Sequence, residues 1–462
     1  MWPLAIDAGR SSGNPALSLL TLGSLWVLAC GGGETVVDAS ASADSSVAPD
    51  SGDSGVASGP ADTTSNDAAA ASSGLPPAKQ LFDPQGKHEV LISTAASDWA
   101  AILADAADQT RVRDYHVATL TIDGTVYAKV GIKNFGDGSQ DVNPKKPNIR
   151  IKFNQYDEKL HGPEGVRNLR LKAAGDDPGY VREPLFYSMV ASLGVAAARF
   201  SFARVQINGV GYGTYQVFEQ ADKQMAKRLF GDTKGKRYEV ISACNGLNCP
   251  ESGCDKMSKY FEDKADVDQG EVIDYAPLIA LAKTLQSASD ATLEADVAKL
   301  ASWPNLLGVY AAELVAGDLD GLLMGGTNFH ILQDPKTGQL HVVRGGADAT
   351  FNHELDLAAP NGLKLNSCSK RLDNVYARVW KHPVLKAKLM ARVKELMCGA
   401  FSKEAVKLFL DSYRSPMKAE AAADPMLSSG GDQAAGAFTA LTGYLYARHA
   451  TLGSVVGPCG GP

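Results

Sequence analysis

The chain has 462 residues, of which 45 % are hydrophobic, so it suits two to three domains or one large domain with appendages. Its 45 Lys and Arg residues against 52 Asp and Glu residues give a formal net charge of −7, and no long block of like charge occurs. This balance argues against a dedicated nucleic-acid-binding protein and leaves enzymes and binding proteins equally open.

Residues 1–30 are predicted to be a signal peptide with a lipobox. The apolar run at residues 17–29 is too short for a transmembrane helix and is typical of the h-region of a signal peptide. The small residue before Cys30 fits a bacterial lipobox, in which that cysteine carries the lipid. The alternative is a buried apolar segment with a chance cysteine. We therefore expect an exported cell-envelope or cell-surface lipoprotein, held at the membrane through Cys30.

Residues 31–80 are predicted to be a disordered linker. They are almost all Gly, Ser, Ala, Asp, Thr and Pro, and they include no aromatic residue. Such a segment buries too little apolar surface to offset the entropy of ordering it. The folded domain is expected at residues 84–455.

The remaining six cysteines are even in number, which in an exported chain is compatible with up to three disulfides. Three of them, Cys244, Cys249 and Cys254, share a Gly/Asn/Pro-rich loop without a histidine, so disulfides are favoured there over zinc. The pairing stays open among fifteen arrangements. The other three are Cys368, Cys398 and Cys459.

The body of the chain alternates between strand and helix patterns. Helices are predicted at 98–107 (capped by Ser97), 184–193, 222–229, within 277–317, and from 373 to about 449. Asp-Gly at 123–124 and Asn-Gly at 208–209 predict β-hairpins. The fold class is therefore α+β, with an antiparallel sheet in the N-terminal half and a helix-rich C-terminal half. Strands are predicted at 89–93, 115–122, 126–133, 148–153, 168–173, 202–207 and 212–218.

The stretch 315–351 carries the strongest functional signal. Asp320 lies on a predicted loop, Asn328 begins a strand, a turn follows at residues 334–338, and Asp348 follows the second strand. An Asp, then an Asn, then an Asp after a hairpin is the order in which kinases place their phosphoryl-transfer residues. Strand alternation would put Asn328 and Asp348 near opposite ends of the ribbon. The alternative for these side chains is a set of solvated turn residues.

Three segments together resemble the CotH family of atypical, secreted kinases. They are PKKPNIRIKF at 144–153, the stretch 160–231 from LHGPEGVRNLRLKAAGDDPGYVRE to ADKQMAKRLFG, and residues 318–351. The resemblance implies an atypical protein-kinase-like fold. It also implies an extracytoplasmic enzyme that moves the γ-phosphoryl group of ATP, with Mg²⁺ or Mn²⁺, to Ser or Thr hydroxyls of a partner protein.

By the same resemblance, three residues would bind the nucleotide. Lys152 would hold its phosphates from the non-core face of a strand. Arg182 would be a second phosphate contact or a structural one. Glu219 would pair with a lysine or line the nucleotide pocket. The alternative for each is a surface salt bridge.

The resemblance also assigns the reacting end of the site, with one departure. Asp320 would orient the acceptor hydroxyl, and Asn328 and Asp348 would hold metal. The family motif Trp-Asp-x-Asp is here Gly345-Gly346-Ala347-Asp348, so only its second Asp is kept. Loss of a metal-binding Asp would cost orders of magnitude in rate, unless Asp348 substitutes for it. The second hypothesis is therefore a catalytically degenerate surface lipoprotein that acts in binding, adhesion or a coat.

Overall fold

The computed structural model describes residues 80–108, 111–136, 145–241, 245–267, 270–357, 374–427 and 430–459. The predicted signal peptide with Cys30, the linker up to residue 79, and two cysteines, Cys244 and Cys368, lie outside these residues. Within the described ranges, none of the helices has both the length and the apolar character needed to cross a membrane.

The N-terminal half contains a closed seven-stranded barrel. Its strands run in the order β1-β2-β3-β4-β5-β7-β6, and the barrel closes because β6 pairs in parallel with β1. The neighbouring pairs are otherwise antiparallel. Alternate residues, such as Val90 and Ile92, point into the apolar interior. The strands are β1 (Lys87–Thr94), β2 (His116–Ile122), β3 (Thr125–Asn134), β4 (Ile149–Lys152), β5 (Asn168–Lys172), β6 (Phe200–Ile207) and β7 (Val210–Glu219).

Both predicted hairpins are confirmed. Asp123 and Gly124 have φ of 48° and 84°, and Asn208 and Gly209 have φ of 50° and 80°. Two consecutive positive φ angles are typical of the two-residue turns that suit the twist of antiparallel strands. Helix α1 (Ala96–Ala107) packs beside the barrel. The predicted cap at Ser97 is wrong. The helix begins at Ala96, so Ser97 lies inside it, and no side chain caps its start.

A second, four-stranded antiparallel sheet lies after the barrel in the chain. Its order is β11-β10-β8-β9, built from β8 (Arg237–Val240), β9 (Phe261–Asp263), β10 (Phe329–Gln333) and β11 (Leu340–Arg344). Two helices precede it, α2 (Arg182–Ser192) and α3 (Lys223–Phe230). The turn predicted at residues 334–338 joins β10 to β11.

The helices of the second half surround α6. This helix is buried at every residue except Pro304, and it packs against α2, β11 and α8. The predicted α+β class, with a helix-rich C-terminal half, is confirmed. These helices are α4 (Ala276–Ser287), α5 (Leu293–Ala298), α6 (Trp303–Ala316), α7 (Asn374–Lys381), α8 (Pro383–Cys398), α9 (Lys403–Ala422) and α10 (Gly430–Val456).

Two disulfides are present among the described residues. Cys249 pairs with Cys254 inside one loop, and Cys398 at the end of α8 pairs with Cys459 beyond α10. Disulfides of this kind persist in oxidising compartments. The expectation of disulfide stapling in the 249–254 loop is confirmed.

Candidate active site

The site begins where α6 ends. Gly317 terminates the helix in the left-handed conformation, with φ of 62°. A Cβ atom there would lie 1.7 Å from the carbonyl oxygen of His353, so both the backbone angle and the space require glycine. The chain turns sharply at this point, and Asp318 and Asp320 follow in the loop.

Asp318 has a structural role in that loop. Arg344, at the end of β11, is buried and places Nη2 2.5 Å from Oδ2 of Asp318 and Nε 2.7 Å from Oε1 of Glu313. The other oxygen of Asp318 accepts the backbone N–H of Asp320 at 3.0 Å. A buried arginine between two carboxylates fixes the loop to the sheet. Both carboxylate oxygens of Asp318 are thus occupied, and Asp320 is the better candidate for a catalytic role.

Asp320 is held by Asn328. The amide of Asn328 donates to the Asp320 carboxylate at 2.6 Å and to its backbone carbonyl at 2.9 Å. Burial, and then the negative charges of Asp318 and Asp348, raise the pKa of Asp320 to about 7. A carboxyl with that pKa is suited to accept a proton near neutral pH.

Asn328 and Asp348 meet at one end of the ribbon, so the expectation that they lie near opposite ends is wrong. β10 and β11 are antiparallel, and the residue before one strand therefore faces the residues after the other. The N–H of Gly345 donates to the carbonyl of Asn328 at 2.7 Å. A Cβ atom on Gly346 would lie 3.3 Å from Oδ1 of Asp348 and 3.6 Å from Oδ1 of Asn328. Two side-chain oxygens thus border the space that a side chain on residue 346 would occupy.

Lys172 joins this end of the ribbon to the barrel. Its Nζ lies 2.5 Å from Oδ1 of Asp348 and 2.7 Å from Oε2 of Glu183, in the first turn of α2. Burial alone would raise the pKa of the Asp348 carboxyl. The positive charge of Lys172 outweighs burial and holds this pKa well below its usual range. Protein kinases likewise pair a strand lysine with a helix glutamate close to the metal-binding Asp.

Sequence reasoning missed Lys172, Glu183 and Asp176. A lysine on a strand, followed by a glutamate at the start of the next helix, was the available signal for the first two. Asp176 lies between them in the chain. Burial, and then Asp348, raise the pKa of Asp176 to about 8. The influence of Asp348 on Asp176 has no signal in the sequence.

Lys152 lies apart from this group. It is on β4, as predicted, and pairs in register with Asn168, four residues before Lys172 on β5. Four strand residues span roughly 13 Å. Its ammonium group instead lies over the ring of Tyr115, 5.7 Å from the ring centre.

Arg182 and Glu219 have mainly structural surroundings. The backbone N–H of Arg182 donates to Asp177 at the start of α2. Glu219 is buried and forms ion pairs with Arg199 at 3.0 Å and with Arg228 at 2.6 Å. Glu219 therefore pairs with two arginines, which join the end of β7 to the start of β6 and to α3.

The oxygen atoms near Gly346 fit a hard divalent cation. Mg²⁺ prefers carboxylate and amide oxygens and usually takes only one or two carboxylates, together with substrate phosphates and water. Among the described residues no three His, Cys, Asp or Glu side chains are placed to hold one ion. Asp348 and Asn328 therefore fit an ion that completes its coordination with phosphate.

Comparison with known proteins agrees with this chemistry. A family model described as CotH kinase protein matches residues 132–452, well over half of the chain. Two curated relatives from Rhizopus delemar are similar: Invasin CotH3 is 26 % identical over 254 residues and Invasin CotH2 is 25 % identical over 259. Each match covers 53 % of this chain but only 41 % and 42 % of the relatives, so the chain spans about two fifths of their length.

One solved structure is also similar. It is the proinflammatory kinase CtkA of Helicobacter pylori, at 9 % sequence identity and a TM-score of 0.26. The alignment covers 68 % of this chain and 96 % of that one.

Proposed function

Because the chain belongs to the CotH kinase protein family, we propose that it is an extracytoplasmic kinase that transfers the γ-phosphoryl group of ATP to Ser or Thr hydroxyls of a partner protein. The observation that carries the proposal is the chain of contacts Glu183–Lys172–Asp348, which lies beside the Asp320–Asn328 pair. In the proposed reaction these neighbouring side chains would supply a phosphate-binding cation, metal-binding oxygens and a proton acceptor.

Each side chain has a role in that reaction. Asp320 accepts or orients the hydroxyl of the acceptor, and Asn328 keeps its carboxylate in place. Asn328 and Asp348 would hold Mg²⁺ or Mn²⁺, which neutralises phosphate charge when bound. Lys172, in place of Lys152, binds the phosphates, because it is the lysine that contacts Asp348.

The alternative function is a degenerate kinase fold that serves as a surface binding, adhesion or coat component. The observation that favours it is Gly346, which removes a family carboxylate next to Asn328 and Asp348. Phosphoryl transfer depends mainly on positioning and electrostatic stabilisation, so a lost charge at this point weakens catalysis directly.

The deciding experiment measures ATP binding and transfer together. We expect ATP with Mn²⁺ to raise the melting temperature of the parent protein and Asp348→Ala to abolish that rise. Asp320→Ala should keep the rise but lose about 10²-fold or more in phosphoryl transfer to a protein substrate, because it removes the proton acceptor. If only Gly346→Asp binds ATP, and the parent does not, the chain is the degenerate form.

The two lysines offer a matched pair. Lys172→Met should abolish ATP-dependent stabilisation, because it removes the cation beside Asp348. Lys152→Met should leave that stabilisation nearly unchanged, because its ammonium group lies over Tyr115. If both variants lost the ATP-dependent stabilisation equally, the assignment of phosphate binding to Lys172 over Lys152 would be contradicted.

The extracytoplasmic location is proposed from the lipobox and supported by the disulfides. Cys249–Cys254 and Cys398–Cys459 suit an oxidising compartment. Replacing Cys30 removes the thiol that would carry the lipid. We expect Cys30→Ser to move the protein from the membrane fraction to the soluble fraction, as followed by immunoblot. A variant that stays with the membrane would rule out an anchor at Cys30.

A further inference from the structure

Three basic side chains form a row across neighbouring strands of the barrel. Lys133 on β3 pairs in register with Arg150 on β4, and Arg150 pairs with Arg170 on β5. Residues that pair directly point to the same side of a sheet, and their strands lie about 4.8 Å apart, so the row spans roughly 10 Å. Neighbouring residues such as Ile132 and Ile151 lie in the barrel core, which places the row on the outer face. Like charges in paired positions destabilise a sheet, so stability alone does not account for this row.

A carboxylate of the second sheet faces the row. Oε1 of Glu239, on β8, lies 4.0 Å from Nη2 of Arg150, and its Oε2 lies 2.8 Å from Nζ of Lys264. Glu239 carries one negative charge shared between two cations, so it cannot balance the three cations of the row. The Nε atoms of Arg150 and Arg170 are buried and, within the described part of the chain, find no acceptor. Buried N–H groups without acceptors are costly, and an anion beside the row would relieve that cost.

The row ends beside the proposed metal site. Nη1 of Arg170 donates to the carbonyl oxygen of Gly345 at 3.2 Å. Gly345 precedes Gly346, where a Cβ atom would lie 3.3 Å from Oδ1 of Asp348. Lys172, two residues after Arg170 on β5, lies on the same face of the barrel and contacts Asp348 at 2.5 Å. The row therefore leads from the catalytic end of the β10–β11 ribbon across the outer face of β5, β4 and β3.

We propose that the row of Lys133, Arg150 and Arg170 binds the phosphate chain of the nucleotide, on the side away from the transferred group. This inference rests on the proposed function and deepens it. Guanidinium groups match the geometry of phosphate oxygens and stay charged when buried. A nucleobase, in contrast, is usually held by mostly apolar side chains with few polar groups, which a row of cations does not offer. This face of the barrel therefore recognises the phosphates of the donor and not its base.

The test is the dissociation constant of tripolyphosphate, measured on the full chain without metal by isothermal titration calorimetry. Arg150→Gln and Lys133→Gln should each weaken binding by about tenfold or more, because each loses one charge-assisted contact. Lys129→Gln is the matched control, since it removes a positive charge from an exposed position on β3. Lys129 lies four strand residues from Lys133, roughly 13 Å away, which exceeds the Debye length of about 8 Å at physiological salt. This variant should bind as the parent does.

A second variant separates phosphate binding from a purely structural role of the ion pair. Arg150→Gln and Glu239→Gln break the same contact between the barrel and the second sheet. A structural pair predicts that both variants lose tripolyphosphate affinity. If the row binds phosphate, Glu239→Gln should instead tighten binding by about threefold, because it removes a negative charge that competes for Arg150. Weaker binding in both variants would contradict the inference.

Competition identifies the source of the phosphate groups. Tripolyphosphate should displace ATP with Mn²⁺ from the parent, because both would occupy the row. Simultaneous binding of the two would place tripolyphosphate elsewhere and contradict the inference.

The lysine of the proposed catalytic site separates this inference from the proposed function. If Arg150→Gln binds ATP like the parent while Lys172→Met does not, the role of the row is wrong and the kinase proposal stands. If the opposite shifts of Arg150→Gln and Glu239→Gln occur in a chain that transfers no phosphoryl group from ATP, the row is confirmed and the kinase proposal fails.

Discussion

The carboxyl of Asp320 is in a position that favours chemistry over stability. Burial and the charges of Asp318 and Asp348 raise its pKa to about 7, whereas an unfolded chain would ionise it near its ordinary value. The folded protein thus binds a proton that the unfolded chain has already released. By linkage, this group lowers the free energy of unfolding as the pH rises from about 4 to 7.

Asp320→Asn should therefore stabilise the protein, although it removes the proposed proton acceptor. We expect a gain of about 1–2 kcal/mol in the free energy of unfolding at pH 8, since one pKa unit corresponds to about 1.4 kcal/mol and neighbouring groups relax. The gain should shrink as the pH falls from 7 towards 4. Urea denaturation at a series of pH values measures it.

Asp334, in the turn of the β10–β11 ribbon, provides the control of opposite sign. Slight burial would raise the pKa of Asp334. Hydrogen bonds from the N–H of Lys336 and the hydroxyl of Thr337 outweigh it and hold this pKa below its usual range. Asp334→Asn should accordingly lower stability at neutral pH, with the loss fading as the pH falls below 4. Destabilisation by Asp320→Asn at pH 8 would contradict the linkage argument.

Residue order along one hairpin was enough to group three candidate site residues, although the expectation that two of them lie at opposite ends of the ribbon was wrong. Asp320, Asn328 and Asp348 were grouped from their spacing, and the structure brings them to one end of the ribbon. The lysine was not predictable in the same way. Lys152 and Lys172 both end alternating strand patterns, and only the pairing of β4 with β5 shows which of them reaches Asp348.

Among the elements, the corner between α9 and α10 (residues 420–427) joins the C-terminal helices to the barrel. Oδ2 of Asp424 lies 2.5 Å from Nζ of Lys146, and both side chains are almost fully buried. Asp424 also lies where a Cβ atom on Gly213 would stand, 2.1 Å away, so β7 needs glycine there to admit the corner. Glu420 adds contacts with Arg204 and Thr214.

Removing one partner of that buried pair should be costly. Asp424→Asn leaves the Lys146 ammonium group buried without a countercharge, and we expect a loss of about 3 kcal/mol in the free energy of unfolding. Chemical denaturation followed by circular dichroism measures it. Asp411→Asn, which breaks the exposed Lys407–Asp411 pair on α9, is the matched control and should change stability little. Equal losses in the free energy of unfolding for the two variants would show that burial of the Lys146–Asp424 pair does not set its effect.

The strands of the barrel were largely predictable, but its closure was not. Alternation and the two Asn-Gly or Asp-Gly turns indicate β1 to β7 and their hairpins, because those signals are local. The parallel pairing of β1 with β6 joins residues more than a hundred positions apart, such as Val90 and Val205. β8 and β9, of four and three residues, were not predicted.

For the molecule as a whole, the two disulfides constrain very different lengths of chain. Cys398–Cys459 closes a segment with a sequence separation of 61, which includes α9 and α10, whereas Cys249–Cys254 has a separation of 5. In the chain-entropy model the longer loop stabilises by about 4 kcal/mol and the shorter by about 2.

The double variant Cys398→Ser/Cys459→Ser should therefore lose about twice the free energy of unfolding that Cys249→Ser/Cys254→Ser loses. Guanidinium denaturation of the two variants beside the parent measures the difference. A larger loss from the short loop would show that local strain or contacts, and not chain entropy, set the effect.

The contacts of α9 and α10 limit the motions by which the proposed kinase could exchange its nucleotide. The corner after α9 reaches the barrel through Asp424, while Arg448 on α10 donates to the carbonyl groups of Leu314 and Leu355, before and after the segment that carries Asp320, Asn328 and Asp348. A swing that parted the barrel from the helices would break buried ionic contacts and expose a lysine with no countercharge, at a cost of several kcal/mol. We therefore expect the proposed kinase to exchange nucleotide through motion of loops near Asp320 and Asp348, with the barrel and the helices moving as one body.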